Sequence, residues 1–161
     1  MNGCVSQNAT AVVTVNPIPT VNVLPITICN GQSGNLVATT NLPGGNFLWI
    51  NGGETTNSIT ASPTTTTTYP VIYTLNGCPS LQATGTLNVN PLPVASMLAD
   101  TLSGCAPLTV SFEADTTNQQ ATYQWSSNSG GTGNGASSMM TFTNGGCYNI
   151  TLTATMNGCV S

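Results

Sequence analysis

The sequence contains no lysine, no arginine and no histidine, and its only charged residues are four acids, which leave a net charge of −4 at pH 7. About 25% of the residues in a typical globular domain are charged, whereas only 2% are charged here. Without cations, the chain offers no electrostatic footprint for nucleic acid and no basic surface for an anionic membrane. We therefore expect no nucleic-acid partner and no docking on lipid through basic residues.

The sequence also lacks several patterns that membrane insertion, catalysis and metal binding require. No apolar stretch approaches the roughly 18 residues that a membrane-spanning helix needs, so we expect no direct membrane insertion. The usual general base and metal ligand, histidine, is absent, and a nucleophilic Ser or Cys has no basic neighbour to activate it. The cysteines have no Cys-x-x-Cys spacing. We predict that the protein is not an enzyme, binds no metal and carries no cofactor.

Uncharged polar residues take the place of charge, with 28 Thr, 19 Asn, 17 Gly and 10 Pro. Thr favours strands, whereas Asn, Gly and Pro favour turns. Short alternating segments separated by turn signals predict an all-β fold of tandem immunoglobulin-like β-sandwich modules. The predicted strands are 9–15, 20–24, 35–40, 46–50, 58–61, 68–75, 81–89, 94–98, 108–114, 122–126, 139–143 and 148–155.

Two short motifs repeat along the chain. Asn-Gly-Cys occurs at 2–4, 76–78 and 157–159, and Val15-Asn16-Pro17-Ile18-Pro19 returns as Val89-Asn90-Pro91-Leu92-Pro93. The first two Asn-Gly-Cys motifs and the two Asn-Pro-x-Pro motifs are each 74 residues apart. This common period predicts sandwich modules joined at Asn-Pro-x-Pro hinges, which the prolines stiffen.

The two ends of the sequence share one motif, because residues 2–6 and 157–161 are identical. We interpret the chain as one register of a longer tandem array. Residues 1–16 are then the terminal strand of a preceding module. Residues 17–90 form an Ig-like sandwich, and 91–161 form a second sandwich that is truncated at its last strand.

Each predicted module has one tryptophan and one tyrosine at corresponding places. Trp49 and Trp125 lie on the third strand after the hinge, and Tyr69 and Tyr148 open the equivalents of the sixth strand. A core Trp on strand C and a Tyr near the start of strand F are hallmarks of immunoglobulin-like sandwiches. We predict that all four are core aromatics. The alternative, stacking sites for sugars, would need the rings on the surface.

Longer motifs carry a family resemblance. The first module combines Asn16-Pro17-Ile18-Pro19, Ile28-Cys29-Asn30-Gly31-Gln32-Ser33, Trp49, Ile59-Thr60-Ala61-Ser62-Pro63, a Thr run before Tyr69, and Asn76-Gly77-Cys78. It resembles an Ig-like repeat of giant secreted surface proteins of the Bacteroidota. The second module combines Gly104-Cys105-Ala106-Pro107-Leu108, Tyr123-Gln124-Trp125 and Cys147-Tyr148-Asn149-Ile150. It resembles a PKD domain, although the usual Asp-Phe-Gly-Asp-Gly after the Trp is replaced by Ser126-Ser127-Asn128-Ser129-Gly130.

The resemblance implies an extracellular, cell-surface protein. Such arrays are typically exported by type IX secretion and serve as adhesins, gliding-motility adhesins or filaments. We therefore expect a structural or interaction segment of a rod, filament or adhesin stalk. A carbohydrate-binding adhesin module and a self-assembling appendage subunit are the alternatives. The expected partners are neighbouring modules, laterally associated copies, and glycans or surfaces. Lateral association is expected because uncharged strand edges do not repel one another.

Six cysteines in a strand-rich chain predict disulfides and an oxidising compartment. The candidates are Cys4, Cys29, Cys78, Cys105, Cys147 and Cys159. Within modules, Cys29–Cys78 is the favoured pair because no other cysteine lies in that module, and Cys105–Cys147 would join two turns at one end of a sandwich. The alternative is an intermodule scheme that joins Cys29 to Cys159, and Cys78 to a preceding module.

Two short motifs match the O-glycosylation pattern of the Bacteroidota, which is Asp, then Ser or Thr, then a small or aliphatic residue. They are Asp100-Thr101-Leu102 and Asp115-Thr116-Thr117. Thr101 and Thr116 are therefore candidate glycan acceptors.

Overall fold

The computed structural model describes residues 8–115 and 120–161, and within these ranges every regular element is a strand. The strands are β1 Val21–Val23, β2 Ile26–Cys29, β3 Gly34–Thr40, β4 Asn46–Trp49, β5 Ser58–Ala61, β6 Thr67–Leu75, β7 Cys78–Pro79 and β8 Ala83–Asn90. They continue with β9 Met97–Ala99, β10 Leu108–Ala114, β11 Thr122–Ser127, β12 Thr132–Asn134, β13 Ser137–Phe142, β14 Ile150–Met156 and β15 Cys159–Val160.

The strands form four sheets. In the predicted module 17–90, one sheet has the order β1-β3-β5 and the other has the order β2-β8-β6-β4, with β7 also paired to β6. In the predicted module 91–161, the orders are β13-β10-β9 and β12-β11-β14-β15. Each larger sheet thus combines strands that lie close together in the chain, such as β6 and β8, with strands from elsewhere in the chain. The Greek-key order of immunoglobulin domains has the same character. The predicted fold class is confirmed.

The chain divides into two compact units. One comprises 1–24, 36–59 and 68–86, and the other comprises 25–35, 60–67 and 87–161. The module boundaries 17–90 and 91–161 stay a prediction, because they come from the repeats alone.

Alternation of apolar and polar residues explains why these segments are strands. In β3, Leu36 and Ala38 are buried while Asn35 and Val37 face outward. In β14, Leu152 and Ala154 are buried, and the threonines that alternate with them are not. Side chains point alternately to the two faces of a strand. One face of each sheet therefore joins a core, and the other carries hydroxyls toward water.

Asn-Gly pairs close the two equivalent hairpins. Asn76 and Gly77 join β6 to β7 with φ of 49° and 77°, and Asn157 and Gly158 join β14 to β15 with φ of 50° and 79°. Two successive residues with positive φ define the type I′ turn, which matches the twist of a hairpin. The second and third Asn-Gly-Cys motifs thus each place a cysteine at the start of a short return strand.

One core in the second unit lies between the sheets β13-β10-β9 and β12-β11-β14-β15. It consists of Val110, Phe112, Ala114, Tyr123, Trp125, Met140, Phe142, Leu152 and Ala154. The rings of Phe112 and Trp125 pack with centroids 5.9 Å apart, one from β10 and the other from β11. In the first unit, the side chains of Leu36, Trp49, Val71 and Tyr73 are at most 1% exposed. Each unit therefore has apolar groups withdrawn from water.

Four short strands were not predicted. They are β2, which follows Pro25, β12, which lies in a glycine-rich stretch that composition indicates to be a loop, and the two-residue return strands β7 and β15. Conversely, 9–15 was predicted to be a strand but has no regular structure and is exposed. In each case the composition is a poor guide, because a strand exists only where a neighbour pairs with its backbone.

Truncation of a core residue tests the predicted packing. We expect Leu36→Ala to lower the free energy of unfolding by about 3 kcal/mol, because it leaves a cavity at a fully buried position. The neighbouring Val37→Ala, which alters a side chain that is 44% exposed, should change it by less than about 1 kcal/mol. Urea unfolding followed by tryptophan fluorescence measures both values. Equal effects would contradict the inward orientation of Leu36.

Candidate functional site

A disulfide joins two cysteines that are 130 residues apart in the sequence. Cys29, the last residue of β2, is bonded to Cys159, the first residue of β15, with a Cα–Cα distance of 5.6 Å. Cys159 is 1% exposed, so the bond is shielded from water on that side. Both cysteines lie in the second compact unit. The link connects a strand of the predicted module 17–90 to a hairpin of the predicted module 91–161.

Backbone pairing positions Cys29. β2 runs parallel to β8, which places Ile26 opposite Leu87 and Cys29 opposite Asn90. Two hydrogen bonds at Cys29 close the turn after β2. The Cys29 carbonyl accepts one from Gln32 N at 2.9 Å, and the Cys29 N–H donates one to Gln32 Oε1 at 3.1 Å. Cys29 is therefore held at the edge of its sheet by strand pairing and by a local turn.

The Asn157-Gly158 turn positions Cys159. The hairpin places Cys159 opposite Met156. Asn90 Nδ2 donates a hydrogen bond of 3.2 Å to the carbonyl oxygen of Asn157, and Asn90 O accepts one of 2.9 Å from Asn30 N. Asn90, the residue that opens the second Asn-Pro-x-Pro motif, thus contacts the turns beside both cysteines. The disulfide and these hydrogen bonds form one linked site.

The favoured Cys29–Cys78 pair was wrong, since Cys29 is bonded to Cys159. The pairing of β2 with β8 explains the difference. Cys29 lies opposite Asn90 at the end of β8, whereas Cys78 precedes the start of that strand. A strand of eight residues is about 25 Å long, and disulfide-bonded Cα atoms lie within about 7 Å of each other. The intermodule alternative, Cys29 with Cys159, describes the observed bond.

The other described cysteines are free thiols. Cys78 is half-buried, while Cys105 and Cys147 are exposed. The predicted Cys105–Cys147 bond is not formed, although Cys147 lines the same cavity as Gly104 and Ala106, the neighbours of Cys105. Cys4 lies outside the described residues, and so does any bond from it.

The four predicted core aromatics differ in burial. Trp49 and Trp125 are 1% and 2% exposed, and their indole N–H groups donate to the carbonyls of Thr56 and Gly135. Tyr69 and Tyr148 are only half-buried, and the Tyr148 ring stacks on Phe142 with centroids 4.4 Å apart.

The sequence did not predict the burial of Tyr73 and Tyr123, which are 1% and 5% exposed. The Tyr73 hydroxyl donates to Leu42 O at 2.7 Å and accepts from Gly45 N at 2.6 Å, and the Tyr123 hydroxyl donates to Asp115 O at 3.0 Å. Tyr73 lies two residues after the buried Val71 in β6, and Tyr123 lies two residues before the buried Trp125 in β11. This alternation is the signal that would have identified them.

Of the two candidate glycan acceptors, Thr101 is described and Thr116 lies outside the described residues. Thr101 is half-buried, and its hydroxyl donates to the Ser103 carbonyl at 3.0 Å. The preceding Asp100 accepts a hydrogen bond of 3.0 Å from Ser111 N through its carboxylate. Asp100 therefore holds the segment that carries Thr101 against β10.

The second unit contains an apolar cavity of about 460 Å³ between β10 and the start of β14. Leu102, Leu108, Phe112, Phe142, Tyr148 and Ile150 contribute to its lining. No group of three or more His, Cys, Asp or Glu side chains that could hold a metal ion occurs in the part of the chain that the structure describes. In the same part, no helix has the length and apolar character to cross a bilayer.

Comparisons with known proteins give limited likenesses. No family model matches the chain, and no curated protein matches it. The crystal structure of murine CEACAM1b is 15% identical with a TM-score of 0.44, and the match covers 88% of this chain and 94% of that one. The human OSCAR ligand-binding domain is 15% identical with a TM-score of 0.35, and the match covers 92% of this chain and 96% of that one. The crystal structure of the chicken CNTN1 FN1-FN3 domains is 12% identical with a TM-score of 0.35, and the match covers 90% of this chain and 61% of that one. Because these TM-scores are at most 0.44, the fold assignment rests on the strand order of this chain.

Removing the disulfide tests its contribution to stability. We expect Cys159→Ser to lower the free energy of unfolding by about 3–5 kcal/mol, because the bond closes a loop of 130 residues and restricts the unfolded chain. The matched variant Cys78→Ser changes a free thiol and should have a small effect. Urea unfolding measures both, and peptide mass mapping without reduction should recover Cys29 linked to Cys159. A recovered Cys29–Cys78 peptide would refute the observed pairing.

Proposed function

We propose that this chain is a structural and interaction segment of a long extracellular repeat protein that forms a rod, filament or adhesin stalk at a cell surface. The observation that carries the proposal is the Cys29–Cys159 bond. It connects a strand of one predicted module to the closing hairpin of the next. A covalent link of this kind resists separation of successive modules under tension, which suits a load-bearing array more than a soluble single domain.

The disulfide also supports the proposed location. Structural disulfides form and persist in oxidising environments such as the cell exterior. Type IX secretion and an origin in the Bacteroidota rest on the sequence resemblance alone, and we propose them on that basis.

The surface chemistry supports a role in association. No ion pair can form between side chains, because the chain contains no Lys, Arg or His. Its outward faces carry hydroxyls instead; Thr109 and Thr141 are hydrogen-bonded at 2.8 Å across β10 and β13. Uncharged strand faces do not repel neighbouring copies, whereas charged edges normally do. Neighbouring modules and laterally associated copies are therefore the partners that we propose.

The dispersed acids support a non-enzymatic role. Asp100 is engaged with the backbone of β10, and no cationic side chain accompanies any of the four carboxylates. The alternative of a carbohydrate-binding module has less support, because Trp49 and Trp125 are buried and present no open face for a sugar ring.

Detection on intact cells tests the proposed location. We expect antibodies raised against this chain to label intact cells of the source organism, and we expect brief proteinase K treatment to abolish the signal. Trypsin should be ineffective within the segment, because the segment has no Lys or Arg. An antibody against a cytoplasmic protein is the control. Labelling only after permeabilisation would overturn the proposal.

Mass spectrometry tests glycosylation. We propose that Thr101 and Thr116 carry O-linked glycans in the native protein, and we expect peptides containing them to be heavier than their sequence mass. Thr101→Ala, expressed in the source organism, should remove one glycan. Thr109→Ala, at a threonine that Asp does not precede, should remove none. Unmodified peptides from native material would refute the proposal.

A further inference from the structure

Six Asn-Gly pairs in the described part of the chain have the same sequence but different surroundings. They are at 30–31, 51–52, 76–77, 134–135, 144–145 and 157–158. In such a pair, the peptide nitrogen of the glycine can attack the side-chain carbon Cγ of the asparagine, because glycine has no side chain to obstruct the approach. The product is a five-membered succinimide ring. Which pair reacts depends on how the fold holds it.

The complete reaction consumes only water. The glycine nitrogen loses its proton and forms a bond to Cγ, the bond between Cγ and Nδ2 breaks, and Nδ2 leaves with the proton as ammonia. Water then adds to one of the two ring carbonyls and opens the ring. The chain is left with aspartate, or with isoaspartate when the backbone runs through the side-chain carboxyl carbon. Either product replaces a neutral amide by a carboxylate.

The pair Asn134-Gly135 is held on both sides of its glycine. The attack needs a glycine N–H without a hydrogen bond, and it needs the asparagine to rotate until Cγ faces that nitrogen. Gly135 N donates a hydrogen bond of 3.0 Å to Tyr123 O, and Gly135 O accepts one of 2.9 Å from Trp125 Nε1. Both partner residues are buried. This pair is therefore protected, because the bond at the glycine nitrogen has to break before the attack.

The pairs 76–77 and 157–158 are held by the strands on either side of them. Each pair is the whole turn of a hairpin, in which residue 75 pairs with 78 and residue 156 pairs with 159. The asparagines have φ of 49° and 50°, as the type I′ turn requires. Rotation away from these values would part the strands, so hairpin geometry protects both pairs.

The pairs 30–31 and 51–52 are each held through the asparagine. Asn30 N donates a hydrogen bond of 2.9 Å to Asn90 O. Asn51 Nδ2, which is the nitrogen that would have to leave, donates one of 3.2 Å to Thr68 O. In both pairs, the rotation that brings Cγ to the glycine nitrogen would strain or break a hydrogen bond.

The pair Asn144-Gly145 has none of these restraints. It lies between β13 and β14, and both residues are exposed. Within the described residues, neither the Asn144 side chain nor Gly145 N makes a hydrogen bond. Apart from the two chain neighbours of Gly145, no atom lies within 4 Å of a Cβ placed on it. The glycine nitrogen is therefore accessible, and the asparagine side chain can turn toward it.

The hydroxyl of Tyr148 contacts the peptide group that would react. It donates a hydrogen bond of 2.8 Å to the carbonyl oxygen of Asn144. The tyrosine ring stacks on the buried Phe142 with centroids 4.4 Å apart, which holds the hydroxyl in place. When Gly145 N loses its proton, the negative charge is shared with this carbonyl oxygen. Hydrogen bonds to an ionised acceptor are about twice as strong as neutral ones, so Tyr148 stabilises the anion that attacks Cγ.

We propose that Asn144 is a site of spontaneous modification, which converts through a succinimide to aspartate and isoaspartate with the assistance of Tyr148. The other five pairs in the described residues react more slowly. Each conversion changes the net charge of the chain from −4 to −5, since −4 − 1 = −5. The new carboxylate lies in the loop between β13 and β14, on a surface with almost no other charge. The reaction depends on this loop alone and not on the proposed function.

Peptide mass spectrometry of the aged 161-residue chain tests the proposal. Samples are incubated at neutral pH for several weeks in water enriched in heavy oxygen and are then digested with chymotrypsin. We expect the peptide containing Asn144 to lose an amide, gain one heavy oxygen and separate into two chromatographic forms. Its rate should exceed that of Asn134 by about tenfold, the factor that a hydrogen bond at the glycine nitrogen contributes. In urea the two rates should become similar.

The variant Tyr148→Phe tests the assistance, because it keeps the ring that stacks on Phe142 and removes only the hydroxyl. We expect it to slow the conversion of Asn144 by about tenfold. The matched control is Tyr69→Phe, at a half-buried tyrosine that is remote in sequence from this loop, and it should leave the rate unchanged. Equal rates at Asn144 and Asn134 in the folded chain, or a difference that persists in urea, would overturn the proposed site. An unchanged or faster rate in Tyr148→Phe would overturn the role of the hydroxyl.

Discussion

A chain without cations has to be held together by apolar burial, backbone hydrogen bonds and covalent links, because no ion pair can form between its side chains. Strands meet this constraint well, since each one pairs its backbone polar groups with a neighbour and buries one face. Among the described residues, every buried side-chain nitrogen or oxygen has a hydrogen-bond partner. The hydroxyls of Tyr73 and Tyr123 and the indole N–H groups of the tryptophans all bond to backbone carbonyls. The buried polar side chains therefore find their hydrogen-bond partners in nearby backbone carbonyls and need no charged partner.

The lack of charged side chains also affects how the edges of the sheets are protected from pairing with other strands. Natural sheets protect their edges with charged side chains, proline or covering loops, and charge is almost absent here. β8 covers one side of β6 and is itself covered by β2. Cys29 at the end of β2 is then tied to the hairpin that follows β14. Neighbouring strands and a disulfide, rather than charged side chains, therefore protect this edge of the sheet.

Repetition made much of the fold predictable. The 74-residue period relates β3 to β10 with matching burial, so that Leu36 corresponds to Val110 and Ala38 to Phe112, all of them buried. Most predicted strands agree with the observed ones to within two or three residues, because alternation and Asn-Gly turns are local signals. The short strands β2 and β12 could not be predicted, since their own composition does not favour pairing. The burial of Tyr73 and the pairing of Cys29 likewise depend on neighbours that are remote in sequence.

The sequence by itself determined the fold class, the repeat, the turns and the list of cysteines, because each of these follows from residue type and spacing over short distances. Only the tertiary structure decided which cysteine Cys29 meets. β2 lies parallel to β8 and carries Cys29 to the Asn90 end of that strand, beside the turn that presents Cys159. Only the tertiary structure showed that β2 and β12 are strands, although their own composition does not favour pairing. Pairing depends on which backbone lies alongside, and that is a property of the assembled sheets.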